Sequence, residues 1–399
     1  MKRNSIHICF STIDYHSITS GGGIASYIDS ISKELLNIGN RVTIIGPGKK
    51  YSRKHVGNEL QIKAPLGNLH WYLYKTGFPS WIYLPIREWE WSKSLYNIIL
   101  KENFRNKIDI IESQEIGFLN LLRLKNKFNI SVIVRLHGSP FFIKKYSNKR
   151  ISIGEKIIHY LELWALKKTD GITSPSRFQK KEYLKLISKD IKVIPNPING
   201  YFILDAKKNR ENIHISPLSI LYTGRIEYRK GVYTLLKALK IVKNIHPNIQ
   251  LIIAGGFHNS IDKRHWEQTL LDYNLNENVF HLGHVPHKNL SELYRKSSIF
   301  VMPSYYETFC ISVAEAMNYS MPVIVSNIEA LCELVDYGKN GIIFKIGDEV
   351  ELSKCIINLL GDINKSISLG KRARIKVQKN FDPKYIAEIT SSYYVSIIN

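Results

Sequence analysis

The stretch SILYTGRIEYRKGVYTLLKALKIVKNIHPNIQLIIAG, residues 219–255, places two short apolar runs on either side of a longer segment. The first run, SILYTG, and the last, LIIAG, have the continuous apolar character of strands that are buried on both faces. The segment between them is predicted to be a helix that opens at Gly231. This strand, helix, strand order predicts one unit of a parallel α/β sheet.

The same alternation runs through the rest of the chain. In the first half we predict strands at SIHICF, RVTIIG, IDIIES, SVIVRLHG, GITSPS and IKVIPN, with helices near 23–38, 87–103, 154–168 and 177–188. In the second half we predict strands at NVFHLG, SIFVMPS, MPVIVS and GIIF, and terminal helices near 364–379 and 383–398. Residues 195–217 separate the two series and are predicted to be a linker, because two prolines and an Asn-Gly pair precede a polar stretch.

The length of the chain predicts its domain organisation. With 399 residues it exceeds the size at which a single core usually stops growing. We predict an α/β fold in which residues 1–198 and 199–382 each form a Rossmann-like domain with a parallel sheet. Ligands of open α/β sheets bind beyond the carboxyl ends of the strands, so two facing domains would place a site in the cleft between them.

Charge is unevenly distributed along the sequence. The net charge is +22, and the first 200 residues carry 32 Lys and Arg against 15 Asp and Glu. This excess indicates a polyanionic partner or an anionic surface near the first half, although a base-composition bias towards Lys, Asn and Ile explains it equally well. A nucleic-acid-binding module is the non-enzymatic alternative, but no recognition-helix, zinc or base-stacking pattern accompanies the charge.

The sequence contains four cysteines: Cys9, Cys310, Cys332 and Cys355. They form no Cys-x-x-Cys pair and no group with histidines, which argues against a zinc site or a disulfide framework. No apolar run approaches the length of a membrane span, and the first 14 residues, interrupted by His7 and Asp14, do not resemble a signal peptide. We therefore expect a cytoplasmic protein.

Two cations lie between the strand at 219–224 and the helix at Gly231. Arg225 follows the strand and Lys230 precedes the helix. The helix macrodipole disfavours positive charge at this end, so the placement indicates a bound anion. A diphosphate fits, because Arg binds it bidentately and Lys acts as a mobile point charge. A solvated surface pair is the alternative.

Three glycines, residues 21–23, lie between the first strand and its helix. Glycine allows the backbone to approach a ligand and presents N–H groups at a helix start. The pattern is not Gly-x-Gly-x-x-Gly, and no acidic residue follows the second strand at about twenty residues from the glycines, so a dinucleotide fingerprint is not supported. A tight turn is the structural alternative.

The segment ETFCISVAEAMN, residues 307–318, contains two acids. Glu307 is predicted to lie in the loop after a strand and Glu315 in the first turn of a helix. Ser312 and Glu315 match a capping box, which is a complete structural explanation for Glu315. Glu307 has no such explanation, and the backbone N–H groups of residues 309–311 are placed to face an anion.

His137 directly follows a predicted strand of the first half and precedes a glycine. This position lies at the edge where ligands bind, although a lone histidine is often a core residue. No Asp-x-Asp pair occurs in the sequence, so a metal bridging a nucleotide diphosphate is not indicated. We expect no metal and no cofactor, with the charge of a diphosphate met by Arg225, Lys230 and helix dipoles.

Together these features resemble a retaining glycosyltransferase of family 4, the group 1 type, over almost the whole chain. The most specific part is the Glu-x₇-Glu run from Glu307 to Glu315, followed by AM, PVIV and NGIIF. GR and KG around Arg225 and Lys230 precede it at the right distance, and GGG, LHG and VIPNPI occur in family order. Thr308 and Ser320 depart from the pattern, because the family commonly has Gly at both positions, and a bulkier side chain at 308 bears on which donor sugars fit.

The resemblance implies the GT-B fold, two facing Rossmann-like domains, with a last helix at 383–399 that crosses back onto the first. It implies a hexosyltransferase that moves a sugar from a nucleotide diphosphate sugar to an acceptor hydroxyl with retention, in cell-surface polysaccharide or glycolipid assembly. It assigns the diphosphate to Arg225 and Lys230, the donor sugar to Glu307 and the ribose to Glu315. Backbone amides of Phe309, Cys310 and Ile311 would contact sugar and phosphate. In the first domain, His137 would lie near the reacting face of the sugar, and Gly22 and Gly23 would lie near the diphosphate.

The acceptor is expected to be a carbohydrate or a lipid-linked saccharide. Aromatic residues crowd 71–91, and residues 141–150 mix apolar and cationic side chains. Apolar insertion and attraction to anionic lipid at the inner membrane face would explain both segments, whereas aromatics in the core and solvated lysines are the alternative. A nucleotide-sugar epimerase or a sugar phosphorylase of similar fold is the competing enzyme, but a pyridoxal-binding lysine is not identifiable.

Overall fold

The computed structural model describes residues 5–14, 22–147, 149–206, 218–257 and 260–399. The chain divides into two compact units. The first comprises Met1–Pro197 with Pro383–Asn399, and the second comprises Ile198–Asp382.

The described residues of the first unit form a sheet in the order β3-β4-β2-β1-β5-β6-β7-β8. Its strands are β1 His7–Ser11, β2 Arg41–Gly48, β3 Ser52–Val56, β4 Glu59–Pro65, β5 Ile110–Gln114, β6 Ser131–Arg135, β7 Gly171–Ser174 and β8 Lys192–Val193. Its helices up to the boundary are α1 Gly23–Asn37, α2 Leu69–Lys75, α3 Ser80–Arg105, α4 Leu122–Phe128, α5 Pro140–Tyr146, α6 Ile153–Leu166 and α7 Arg177–Leu184. In this described sheet, neighbouring strands are parallel except for β3, which pairs antiparallel with β4 at the edge.

The described residues of the second unit form a parallel sheet in the order β11-β10-β9-β12-β13-β14. Its strands are β9 Ser219–Thr223, β10 Gln250–Ala254, β11 Val279–His281, β12 Ile299–Met302, β13 Val323–Ser326 and β14 Ile342–Phe344. Its helices are α8 Gly200–Asp205, α9 Val232–Lys243, α10 Ser260–Asp272, α11 His287–Lys296, α12 Ile311–Asn318, α13 Glu329–Leu334, α14 Glu349–Gly361 and α15 Ile363–Asn380. The strand order reverses between β9 and β12, which is where ligands of such sheets bind.

The last helix, α16 Pro383–Ile398, packs on α1 within the first unit. Its Tyr394 hydroxyl donates to the buried Glu112 of β5, and Tyr27 of α1 donates to the same carboxylate at 2.9 Å. Ile386 and Ala387 join the core cluster of β1, β2 and α1. These contacts fasten α16 to the sheet.

The predicted linker at 195–217 holds only in part. Residues 200–205 form α8, whose Phe202 is buried in the core of the second unit. Asp205 pairs with Arg295 at 2.8 Å and accepts from the Tyr319 hydroxyl at 2.9 Å. Residues 207–217 lie outside the described residues.

The four cysteines are free thiols, three of them buried and Cys355 half-buried. Within the described part of the chain, no helix combines the length and the apolarity that crossing a bilayer requires.

Candidate active site

Two loops of the second unit meet at the point where the strand order reverses. One follows β9 and ends in a 3₁₀ turn, Tyr228–Lys230; the other, residues 303–310, follows β12. The Arg229 carbonyl accepts from the Tyr305 N–H at 2.8 Å, and the Arg229 guanidinium donates to the Tyr306 carbonyl at 3.0 Å. The loops meet because β9 and β12 are neighbours in the sheet.

Lys230 and Glu307 form an ion pair at this junction. The Lys230 Nζ lies 2.5 Å from the Glu307 Oε1, which also accepts from the Ser304 hydroxyl at 2.9 Å. The Glu307 side chain is only 8% exposed. Burial alone would raise the pKa of this carboxyl, but Lys230 and then Arg229 lower it below its usual value, so Glu307 is ionised at neutral pH.

Arg229 is a member of this cluster that the sequence analysis did not select. Its guanidinium donates to Glu227 at 2.5 Å, and the charge of Glu307 helps to raise its pKa. Its Nε is buried without a hydrogen-bond partner among the described residues. The position beside Lys230 in YRKG was the available signal. Arg225, in contrast, has an exposed side chain, and no carboxylate of the described residues pairs with it.

Glu315 lies in the second turn of α12 and is buried. It accepts from the Tyr294 hydroxyl at 2.9 Å, and that hydroxyl lies 3.2 Å from the Thr223 hydroxyl at the end of β9. The capping-box alternative is wrong, because Cys310 is the N-cap of α12 and no side chain caps the helix. Ser312 is the second helical residue, which puts Glu315 beyond the first turn.

The unligated carboxyl of Glu315 should make stability depend on pH. Burial raises its pKa from 4.5 to about 7. Below the unfolded pKa both states are protonated and the group costs nothing; as pH rises the unfolded chain ionises first, so folding loses about 3 kcal/mol by pH 8. Glu315→Gln cannot ionise and still accepts from Tyr294. We expect urea unfolding to give equal stabilities near pH 4 and a variant about 3 kcal/mol more stable at pH 8; parallel curves would contradict this account.

Residues 309–311 form the entry to α12. Cys310 has φ of +75°, in the left-handed region that favours glycine, and its Sγ lies 3.4 Å from the Ser312 hydroxyl. Burial raises the pKa of the Cys310 thiol to about 11, so it stays protonated. Phe309 is buried against Phe381, with ring centroids 5.1 Å apart, and Ile311 is the first helical residue. The backbone N–H groups of this first turn have no helical acceptor.

Three of the selected residues lie in the first unit. His137 follows β6, and its ring centroid lies 5.2 Å from that of Tyr27. Burial, assisted by Arg135, keeps the pKa of His137 well below its usual value, so the ring is neutral at pH 7. Gly22 is the N-cap of α1 with an extended backbone, and a Cβ on Gly23 would meet nothing within 4 Å. Neither glycine is required there by the backbone geometry, and Gly21 lies outside the described residues.

In the described residues, no group of three His, Cys, Asp or Glu side chains is arranged to hold a metal ion. Metal independence of the reaction therefore stays a prediction.

Comparison with known proteins identifies the family. The model of group 1 glycosyl transferases matches residues 205–376, and the model of glycosyltransferase family 4 matches residues 21–200. The chain belongs to the family 4, group 1 glycosyltransferases. These matches favour a transferase over the epimerase and phosphorylase alternatives.

The chain is similar to glycogen synthase of Mycobacterium tuberculosis, with 28% identity over 60% of this chain and 57% of the relative. It is also similar to the capsular polysaccharide biosynthesis glycosyltransferase CapM of Staphylococcus aureus, with 30% identity over 48% of this chain and 50% of the relative. The aligned parts thus span about half of the length of these relatives. Among solved structures, sucrose-phosphate synthase from Thermosynechococcus elongatus superposes with a TM-score of 0.80 at 22% identity, covering 98% of this chain and 99% of that one. This likeness confirms the predicted GT-B fold.

Proposed function

We propose that the protein is a retaining, metal-independent glycosyltransferase that moves a sugar from a nucleotide diphosphate sugar to a carbohydrate or lipid-linked acceptor in polysaccharide or glycolipid assembly. The observation that carries the proposal is the Lys230–Glu307 pair at the junction of the loops after β9 and β12. A mostly buried cation held by a buried acid next to the start of α9 is a preformed site for a diphosphate.

Each of these residues is assigned to a different part of the donor. Lys230 and the exposed Arg225 meet the diphosphate, and Arg229 adds positive charge behind them. Glu307 accepts from hydroxyls of the donor sugar while it fixes the lysine. Glu315 accepts from the ribose hydroxyls, and Tyr294 positions its carboxylate. The N–H groups of residues 309–311 face sugar and phosphate oxygens.

Negative charge develops on the phosphate oxygen as the sugar leaves, and preorganised cations there lower the barrier most. In a front-face reaction the departing phosphate itself takes the proton of the acceptor hydroxyl, so retention needs no protein base. His137, neutral and held beside Tyr27, then positions the sugar instead of accepting the proton. Gly22 and Gly23 of the first unit are assigned to the diphosphate as part of this proposal.

A panel of nucleotide diphosphate sugars tests the donor assignment. A bound donor stabilises the folded state by mass action, so one or a few donors should raise the melting temperature of the purified chain. Transfer to acceptor should proceed equally in EDTA. No shift with any donor, or loss of turnover on chelation, would contradict the assignment.

The aromatic residues of α2 and α3 support peripheral association with a membrane. Trp71, Tyr72, Tyr74, Trp81 and Trp89 are each about half exposed or more, so the core explanation does not apply to them. Lysines lie over two of the rings, at 4.2 Å and 4.5 Å from the centroids. Exposed Trp and Tyr beside Lys are the side chains that insert at a lipid headgroup boundary.

The second segment behaves differently. In residues 141–150, Phe142 is buried, Phe141 stacks on His159, and Lys144 pairs with Glu155 at 2.6 Å. This part of the membrane hypothesis therefore has less support than α2 and α3.

We expect the chain to sediment with vesicles of anionic phospholipid at low salt, and the double variant Trp71→Ala/Tyr72→Ala to lose most of that binding. Phe104→Ala removes an even more exposed ring near the far end of α3, and this variant should bind as the unmodified chain does. Absence of binding at low salt would remove the membrane surface from the proposal.

A further inference from the structure

A cavity of about 180 Å³ lies within the first unit, between α3, α5, α6 and the segment after β5. Leu84, Ile116 and Phe141 give it apolar walls. Its polar lining includes Glu88, His159 and Glu162, each more than 90% buried. Charged and polar groups are rarely buried this deeply without partners, so the cavity requires an explanation.

Two of these groups lack hydrogen-bond partners. The Glu162 Oε1 and the His159 Nδ1 are buried and unpaired among the described residues. The His159 Nδ1 is 3.8 Å from the other Glu162 oxygen, which is too far for a hydrogen bond. Glu88, in contrast, is bound by Arg87 at 3.0 Å. Leaving buried donors and acceptors unpaired is unfavourable, so an occupant is expected.

The protonation states of Glu162 and His159 limit the kind of ligand that the cavity can bind. Burial, reinforced by Glu88 and Glu115, raises the pKa of Glu162 well above its usual value. Burial lowers the pKa of His159 to about 4. His159 is therefore neutral at pH 7, and burial favours the protonated, neutral form of Glu162; in these forms each group offers a donor and an acceptor. Neutral groups of this kind match hydroxyls. Arg87 and Glu155 also line the cavity, but each is paired with an opposite charge, Arg87 with Glu88 at 3.0 Å and Glu155 with Lys144 at 2.6 Å.

The histidine ring is held rigidly. It stacks face to face on Phe141, with centroids 3.8 Å apart and planes 2° from parallel. Phe142 packs edge-on against the same ring at 5.7 Å. The Nδ1 atom therefore has a fixed direction, which is a property of binding sites more than of surfaces.

The cavity adjoins the strand ends that carry His137. Phe141 follows His137 by four residues, and Ile116 follows the last residue of β5 by two. Glu115, between that strand and Ile116, accepts from the Gly138 N–H at 2.8 Å and so ties the two segments together. The cavity holds roughly six waters by volume, less than a typical drug-sized pocket, so one sugar ring is the largest carbohydrate unit it accommodates.

We propose that this cavity binds one neutral sugar ring, with Glu162 and His159 hydrogen-bonding to adjacent hydroxyls and the apolar wall covering the ring's C–H face. The assignment of this ring to the acceptor rests on the proposed function, whereas the binding of a glycoside by the first unit does not depend on that function.

Saturation-transfer NMR on the full chain tests the proposal, with methyl α-D-glucopyranoside, methyl α-D-mannopyranoside and methyl α-D-galactopyranoside as probes. We expect at least one to bind. His159→Phe keeps the stack on Phe141 but removes Nδ1, and Glu162→Leu removes both oxygens; each should weaken binding about tenfold. Glu162→Gln keeps a donor and an acceptor and should bind within about threefold of the unmodified chain. His55→Phe, at an exposed histidine of β3, is the matched control.

Unchanged affinity in both His159→Phe and Glu162→Leu, or no binding of any of the three probes to the folded chain, overturns the proposal, and the cavity then holds only water. Failure of the proposed function looks different. In that case glycosides bind and the variants weaken them, but no nucleotide sugar is consumed. If transfer occurs and the acceptor KM is the same in both variants, the function stands and the assignment of the bound ring to the acceptor falls, while glycoside binding by the cavity is decided by the NMR result.

Discussion

Lys230→Ala is expected to lower kcat/KM for sugar transfer by at least about 100-fold, because it removes a preorganised cation from the oxygen on which charge develops. The ammonium group lies 2.5 Å from Glu307 and is mostly buried, so water does not replace it easily. The substitution should also raise the pKa of Glu307, since Lys230 is the largest contribution that lowers it. Steady-state assays with the true donor and acceptor measure the loss.

A double substitution distinguishes a role of the ion pair in donor binding from a purely structural role. Removing one member of a buried pair typically costs 3–5 kcal/mol, whereas replacing both with neutral groups is often tolerated. The double variant Lys230→Met/Glu307→Gln should therefore recover much of the stability that Lys230→Ala loses but none of the activity. If activity returns together with stability, the pair holds the loops and does not act on the donor.

Lys237→Ala, on the helix α9 that follows Lys230, is the control. Its ammonium group is half exposed and 3.9 Å from Glu349, a surface pair worth little. We expect its activity and stability to match those of the unmodified chain, so that any general effect of removing a lysine from this part of the second unit is accounted for.

The regular part of the fold was predictable because its physical signal is local. Strands such as β9 and β10 are buried on both faces, so they appear as continuous apolar runs with helices between them. The hairpin of β3 and β4 was missed because β3, SRKHV, is a mostly exposed edge strand with polar side chains. Edge strands carry no continuous apolar run, and only their pairing identifies them.

The site was predictable in its members more than in its contacts. Lys230 and Glu307 were selected separately, and their 2.5 Å contact spans 77 residues because β9 and β12 are adjacent. Glu315 was placed one turn too early, since the left-handed Cys310 that starts α12 leaves no mark in the sequence. Ser320 also has a positive φ, +56°. The family commonly has glycine at this position, so the serine strains the backbone here and does not change a pocket.

Gly231→Ala is expected to destabilise the second unit by about 3 kcal/mol or more and to abolish transfer. Gly231 has φ of +70°, and a Cβ there would lie 1.8 Å from the Pro303 carbonyl oxygen. The clash is with backbone, so relief requires the loop after β12 to move away from the start of α9. That movement would separate Lys230 from Glu307 and disrupt the proposed donor site as well as the packing.

Gly283→Ala separates strain from collision. Gly283 has a similar φ of +64°, but a Cβ there would meet nothing within 4 Å. It should cost only the backbone strain, about 1–2 kcal/mol. Urea unfolding of both variants measures the difference between their free energies of unfolding, and this difference is the energetic cost of the collision with Pro303. Equal losses would mean that the loops after β9 and β12 separate without cost, and the preformed junction on which the donor site depends would have to be given up.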